Sequence, residues 1–181
     1  FLDHHLKCGD SLHGERLETV TGGIREFGVL LQDSELTRLE VAARALDGVA
    51  ELTDVDIGEV HRSAELAREA ESAAAPIIAV LDFWRALRWL VPGWPVNRLA
   101  RLRDEEVRKG LAELFSGRYN LAGVIHRGHI DGTGDDARAT NELLTRALQL
   151  ARRERFFHWW TAFPTVFAGA TAGFDAVIGN P

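Results

Sequence analysis

Pro76-Ile77-Ile78-Ala79-Val80-Leu81-Asp82-Phe83-Trp84-Arg85-Ala86-Leu87-Arg88-Trp89-Leu90 is the stretch whose reading decides the fold. Ile77, Val80, Leu81, Trp84, Leu87 and Leu90 recur at steps of three and four, which stacks them on one face of an α-helix. Pro76 sits where a first helical turn tolerates a missing N–H. Val91-Pro92-Gly93-Trp94-Pro95 ends the helix.

The same period extends outward in both directions. Upstream, Leu17, Val20, Ile24, Phe27 and Leu31 form an apolar face. The Gly22-Gly23 pair weakens that helix by about 1 kcal/mol per glycine and marks a place for a kink. Asp33-Ser34-Glu35 is an N-cap signal for a helix over Leu36, Leu39, Ala43 and Leu46 to Gly48. Another helix starts at Asp54 or Asp56, with Glu59, Arg62, Glu65, Arg68, Glu69 and Glu71 on its exposed face, and ends in the alanine-rich Ser72–Ala75. Downstream, Asn97 to Phe115 reads as one helix, with Leu99, Leu102, Val107, Leu111 and Leu114 inward and Ser116-Gly117 closing it. Tyr119 to Ile130 fits no single period. Asp131–Asp136 is a loop. The last long helix runs from about Asp135 to Arg155, with Leu143, Leu144, Leu148 and Leu150 opposite Arg146, Arg152 and Arg153.

Only the two ends read as strands. His5-Leu6-Lys7-Cys8-Gly9 alternates weakly and turns at Gly9-Asp10. Phe174, Ala176, Val177 and Ile178 form an apolar run that stops on Gly179-Asn180-Pro181. A strand that carries a polar amide to its C-terminal edge is how open α/β sheets build sites. The chain thus divides into a strand and acidic turn (1–14), a helical body (15–155), and a return segment with a second strand (156–181).

With 181 residues, 46% hydrophobic and 27% charged, the chain is long enough for one domain with a real core. It contains no Met, which fits an internal fragment of a longer protein. No apolar run approaches the ~20 residues needed to span a bilayer, and the N-terminus lacks the pattern of a secretion signal, so a cytoplasmic location is expected. A single cysteine, Cys8, suits a reducing compartment. A net charge of −6 argues against the segment being a main DNA-gripping surface, while leaving room for a local patch.

Three stretches carry a resemblance. Phe174-Asp175-Ala176-Val177-Ile178-Gly179-Asn180-Pro181 resembles the start of the Asn-Pro-Pro-Tyr motif of adenine-specific (N6) DNA methyltransferases. Phe1–Leu12 is similar to the segment that precedes a long helical insertion in the large Type IIG restriction–methyltransferases and related phage-defence enzymes. Phe156-Phe157-His158-Trp159-Trp160-Thr161-Ala162-Phe163-Pro164-Thr165-Val166-Phe167 resembles the stretch shortly before their catalytic motif.

The resemblance implies a mostly α fold: a helical-bundle insertion flanked by two short strands of an incomplete Rossmann-like methyltransferase sheet. In the family those two strands are not neighbours, so the bundle is expected to stand by itself with the strands short or poorly paired. Asn180 and the Pro181 carbonyl would accept hydrogen bonds from the amino group of a flipped adenine. Asp10 would contact the adenine of S-adenosylmethionine, and Trp159 and Trp160 would wall the pocket. Double-stranded DNA would be the partner of the full-length enzyme, and many enzymes of this family carry a fused nuclease and a target-recognition domain elsewhere in the chain. No membrane partner and no metal are implied. The second proline and aromatic of the motif, and the glycine-rich cofactor motif, are not in this chain, and the isolated segment is expected to be inactive.

Other readings stand beside these. Asp10 also reads as a turn aspartate capping the next segment. The five tryptophans, Trp84, Trp89, Trp94, Trp159 and Trp160, read first as core packing and helix docking and only second as base-stacking surfaces, with Trp159 and Trp160 the better functional candidates. His4, His5, Cys8 and His13 match no zinc spacing. Cys8 with His158 as a base would make a thiol nucleophile if the fold joined them. His126 and His129 fall beside Gly128 and read as a solvated loop. Arg98, Arg101, Arg103, Arg108 and Lys109, interleaved with Asp104, Glu105 and Glu106, read as a mixed solvated surface or as phosphate contacts. A non-catalytic helical module that docks a protein or a domain is the alternative to the enzyme.

Overall fold

The computed structural model describes residues 7–31, 37, 41, 42, 44, 45, 57–96, 98–167, 173–176 and 178. The molecule is mostly helical. Helix α1 spans Leu17–Glu26, α2 Ile57–Leu90, α3 Glu105–Leu114, α4 Leu121–Arg127 and α5 Asp135–Glu154. Two one-turn helices, α6 (Trp159–Ala162) and α7 (Pro164–Phe167), follow, and a 3₁₀ turn covers Leu99–Arg101. Residues 37, 41, 42, 44 and 45 are also helical. The expected cap Asp33-Ser34-Glu35 lies outside the described residues, as do Asp54 and Asp56. Among the described residues no helix is long and apolar enough to cross a membrane.

Helix α2 is the axis. The sequence suggests two helices broken at Pro76, but the structure has one, with Pro76 inside it. An interior proline costs about 3 kcal/mol through the lost hydrogen bond and the ring clash. Burial on both sides of the proline outweighs that. Before it, Ala70 and Ala74 pack against Ala42 and Ala45. After it, Ile77, Val80, Leu81, Phe83, Trp84 and Leu87 enter the main core. Small side chains let the first half lie close to its neighbour, and the bulky second half fills the bundle.

Around α2, helix α4 lies along one side, and α5 packs against both α2 and α3. The single helix expected over 97–115 is instead the 3₁₀ turn followed by α3. Asp104 makes the difference, since its carboxylate accepts the Val107 N–H at 3.1 Å and starts a new helix there. The stretch with no single period, 119–130, contains α4. Asn120 caps it by accepting the Gly123 N–H at 2.6 Å, and Gly128 ends it with a φ of 80°.

Helix α1 ends at Glu26, earlier than the apolar spacing suggests. Phe27, just past its end, stacks between Trp94 and Phe115 at 5.7 and 4.8 Å. The glycine pair causes no break in α1. A Cβ on Gly23 would lie 2.4 Å from the Trp84 ring, so the missing side chain is what lets α1 sit on α2.

Neither expected strand forms among the described residues. Residues 7–9 are irregular, and Asp10 makes one isolated parallel bridge to Phe156. Residues 173–176 and 178 are not in a strand either. A strand is stable only with a paired neighbour, and among the described residues the Asp10–Phe156 bridge is the extent of the pairing.

Candidate functional site

The last turns of α2 tie the two ends of the chain together. Asp82, Arg85 and Arg88 follow each other at three-residue steps and so share a face. The buried carboxylate of Glu15 accepts from Arg88 Nε at 2.6 Å and lies 3.5 Å from Arg85 Nη1. The Glu15 backbone N–H donates to Nδ1 of His158 at 2.9 Å. A backbone N–H can only donate, so Nδ1 is the acceptor and the ring proton sits on Nε2. That Nε2–H points at Oδ1 of Asp82, 3.0 Å away. His158 is 3% exposed, so both of its ring nitrogens are satisfied inside the protein.

Around this staple the two terminal segments touch closely. A Cβ on Gly14 would fall 2.2 Å from the Phe157 carbonyl oxygen, so only glycine fits there. The Asp10 N–H donates to the Arg155 carbonyl at 2.8 Å. The Asp10 carboxylate accepts from the Leu12 N–H at 3.1 Å and from His13 Nδ1 at 2.8 Å. The hydrogen bond from His13, then that from Leu12, holds the Asp10 carboxyl below the usual carboxylate range. Asp10 therefore builds its own turn, as the capping reading expects. An ionised carboxylate has about four acceptor positions, so both oxygens retain capacity for a further donor.

Trp159 and Trp160 lie at the same end. The Trp159 indole N–H donates to the Ser11 carbonyl at 3.1 Å, next to Asp10. Trp160 stacks on Phe167 at 5.7 Å between ring centres. Phe174 packs edge-on against Trp159 at 5.6 Å and anchors the start of the terminal segment on this aromatic group. A cleft of about 600 Å³ opens between the two segments, lined by Leu12, Gly14, Arg16, Trp159, Trp160 and Phe167 among others. Leu12 is largely exposed beside it. Asn180 and Pro181 lie outside the described residues.

Sequence reasoning missed the Glu15–Arg88 and His158–Asp82 pairs. The visible signal was that Asp82, Arg85 and Arg88 interrupt an otherwise apolar face of α2 at helical spacing, which demands buried partners. The Cys8–His158 pairing is not made. Cys8 lies 3.7 Å from Arg155 Nη1, and both His158 nitrogens are engaged elsewhere. Trp84 and Trp94 are core residues, packed edge-on at 5.0 Å. His126 and His129 are exposed, and His4 and His5 lie outside the described residues.

Comparison of the chain with family models, with curated proteins and with solved structures finds no match.

Proposed function

We propose that this chain is the helical insertion and its two flanking segments from an adenine-N6 DNA methyltransferase of the Type IIG kind. The observation that carries the reading is the junction of Asp10–Ser11 with Phe156–Trp159. These segments bear two of the three motif resemblances, lie some 145 residues apart, and meet through the Asp10 N–H to Arg155 and Trp159 N–H to Ser11 hydrogen bonds. Phe174, at the start of the third resemblance, packs on the same aromatic group. An insertion must return the chain to where it left, and this body does so.

In this reading Asp10 accepts a hydrogen bond from the adenine of S-adenosylmethionine, which supplies the methyl group. Asn180 and the Pro181 carbonyl accept from the target adenine's amino group and make its nitrogen a better nucleophile. Fixed acceptors of this type contribute several kcal/mol of barrier reduction, about 3–4 per removed group in other enzymes. Trp159 and Trp160 form a wall beside the pocket.

The test uses the full-length protein, duplex DNA and tritium-labelled S-adenosylmethionine. Label is expected in DNA adenine, and Asn180→Ala is expected to remove it while leaving calorimetric cofactor binding intact. A folded full-length protein that gives no heat with the cofactor overturns the reading. That outcome would favour the docking module, which the exposed Leu12, Trp159 and Phe174 at one end also suit.

A further inference from the structure

The 98–103 segment divides its charges in a way the sequence does not show. Arg98, Arg101 and Arg103 are all exposed on and around the 3₁₀ turn. Among the described residues none of the three guanidiniums makes an ion pair or a side-chain hydrogen bond. The acids that follow them are already committed. The Asp104 carboxylate caps α3 through the Val107 N–H. Glu105 and Glu106 both pair with Lys109, at 3.1 and 3.6 Å. The run that reads as alternating charge is therefore an acid–lysine cluster on α3 beside a separate strip of three uncompensated arginines.

Two of the three, Arg101 and Arg103, border a cleft of about 470 Å³ together with Asp104, over an apolar floor that includes Leu90, Val91 and Leu102. Its position relative to the candidate site follows from α2. Trp89 packs edge-on against His13 at 5.4 Å and against Phe156 at 5.8 Å. The next residue, Leu90, lines the arginine-rimmed cleft. The strip thus lies at the same end of α2 as the Asp10–His13 turn.

We propose that Arg98, Arg101 and Arg103 contact the phosphodiester backbone of duplex DNA and extend the DNA surface away from the candidate site. The proposal rests on the methyltransferase reading for its choice of partner. Guanidinium groups suit phosphate because they present paired N–H donors to its oxygens. Such contacts position the duplex without reading its sequence. They also reconcile a net charge of −6 with DNA binding, because affinity depends on local cations displacing counterions and not on the sum over the chain.

The test measures duplex binding by the full-length protein, by fluorescence anisotropy over a range of potassium chloride concentrations. Each neutralised phosphate contributes about 0.9 to the slope of log affinity against log salt, so Arg98→Gln/Arg101→Gln/Arg103→Gln is expected to lose about 2–3 from that slope. The matching triple lysine variant is expected to keep it, since a point charge still displaces counterions. Equal slopes for wild type and the glutamine variant overturn the proposal. So does a wild-type protein that does not bind DNA, the result expected if the strip serves an acidic protein partner. Calorimetry with S-adenosylmethionine on the same variants separates the two levels. A lost slope in a protein that binds no cofactor leaves the DNA surface standing and removes the methyltransferase.

Discussion

Two adjacent glycines in one helix should respond oppositely to the same substitution. Gly22 and Gly23 both lie inside α1, where replacing glycine by alanine favours the helix by about 1 kcal/mol. Gly22 is exposed, and an added Cβ there would meet nothing within 4 Å. Gly22→Ala should therefore gain nearly the whole helix preference. At Gly23 the added carbon would lie 2.4 and 2.5 Å from two carbons of the Trp84 ring. Carbon atoms rest at about 3.5–4.0 Å, so the overlap exceeds 1 Å. Trp84 cannot simply withdraw, because it is fully buried and packed against Trp94. Overpacking of this kind costs about 1–3 kcal/mol, which outweighs the helix gain. For a chain of this length each kcal/mol moves the melting temperature by about 2–4 °C. Gly22→Ala should melt about 2–4 °C above the parent, and Gly23→Ala should melt below it, in thermal unfolding followed by circular dichroism. If both variants melt higher, the close seating of α1 on Trp84 is wrong.

The remaining predictions concern polar groups. His158→Ala leaves the buried Glu15 N–H without an acceptor and removes the partner of Asp82, so it should destabilise by about 2–4 kcal/mol in urea unfolding. His158→Asn, which keeps an acceptor near the Nδ1 position, should recover part of the loss, and an alanine variant as stable as the parent would refute the staple. Tyr119 is the single tyrosine, so ultraviolet titration reports it alone. Its hydroxyl donates to Glu113, and that bond, with burial, raises the phenol above its usual value of 10.0. Glu113→Gln should lower the titration midpoint, and an unchanged midpoint would contradict the contact. Asp10 has its folded-state pKa depressed, so its contribution to stability is present above the unfolded value of 3.8 and is lost as pH falls through the folded value. Asp10→Asn should therefore show less acid destabilisation than the parent in melting curves taken below about pH 4, whereas parallel curves would show that the Asp10–His13 bond is unimportant.

Much of the helical content was legible in the chain because it depends on local periodicity. The apolar steps over Ile77–Leu90 and Leu143–Leu150 required helices with one buried face, and both exist. Boundaries were less legible where a single side chain decides them. Asp104 split an expected long helix by capping its second part, and Asn120 with Gly128 framed a helix that showed no clear period. Pro76 misled in the other direction, because the burial that overrides a proline comes from residues distant in the sequence.

Of the candidate site, the sequence by itself determined the residue types at the ends and the resemblance they carry: Asp10, Trp159, Trp160, Asn180 and Pro181. Only the tertiary structure decided that the Asp10 turn lies against Trp159 and that His158, Asp82, Glu15 and Arg88 hold those segments together. It also decided which cations near 98–109 pair with acids and, among the described residues, which do not. The physical reason is one of range. Helical periodicity and capping act over three or four residues and are written in local order. A hydrogen bond between residues 143 positions apart, like that from Glu15 to His158, exists only once the helices between them have packed.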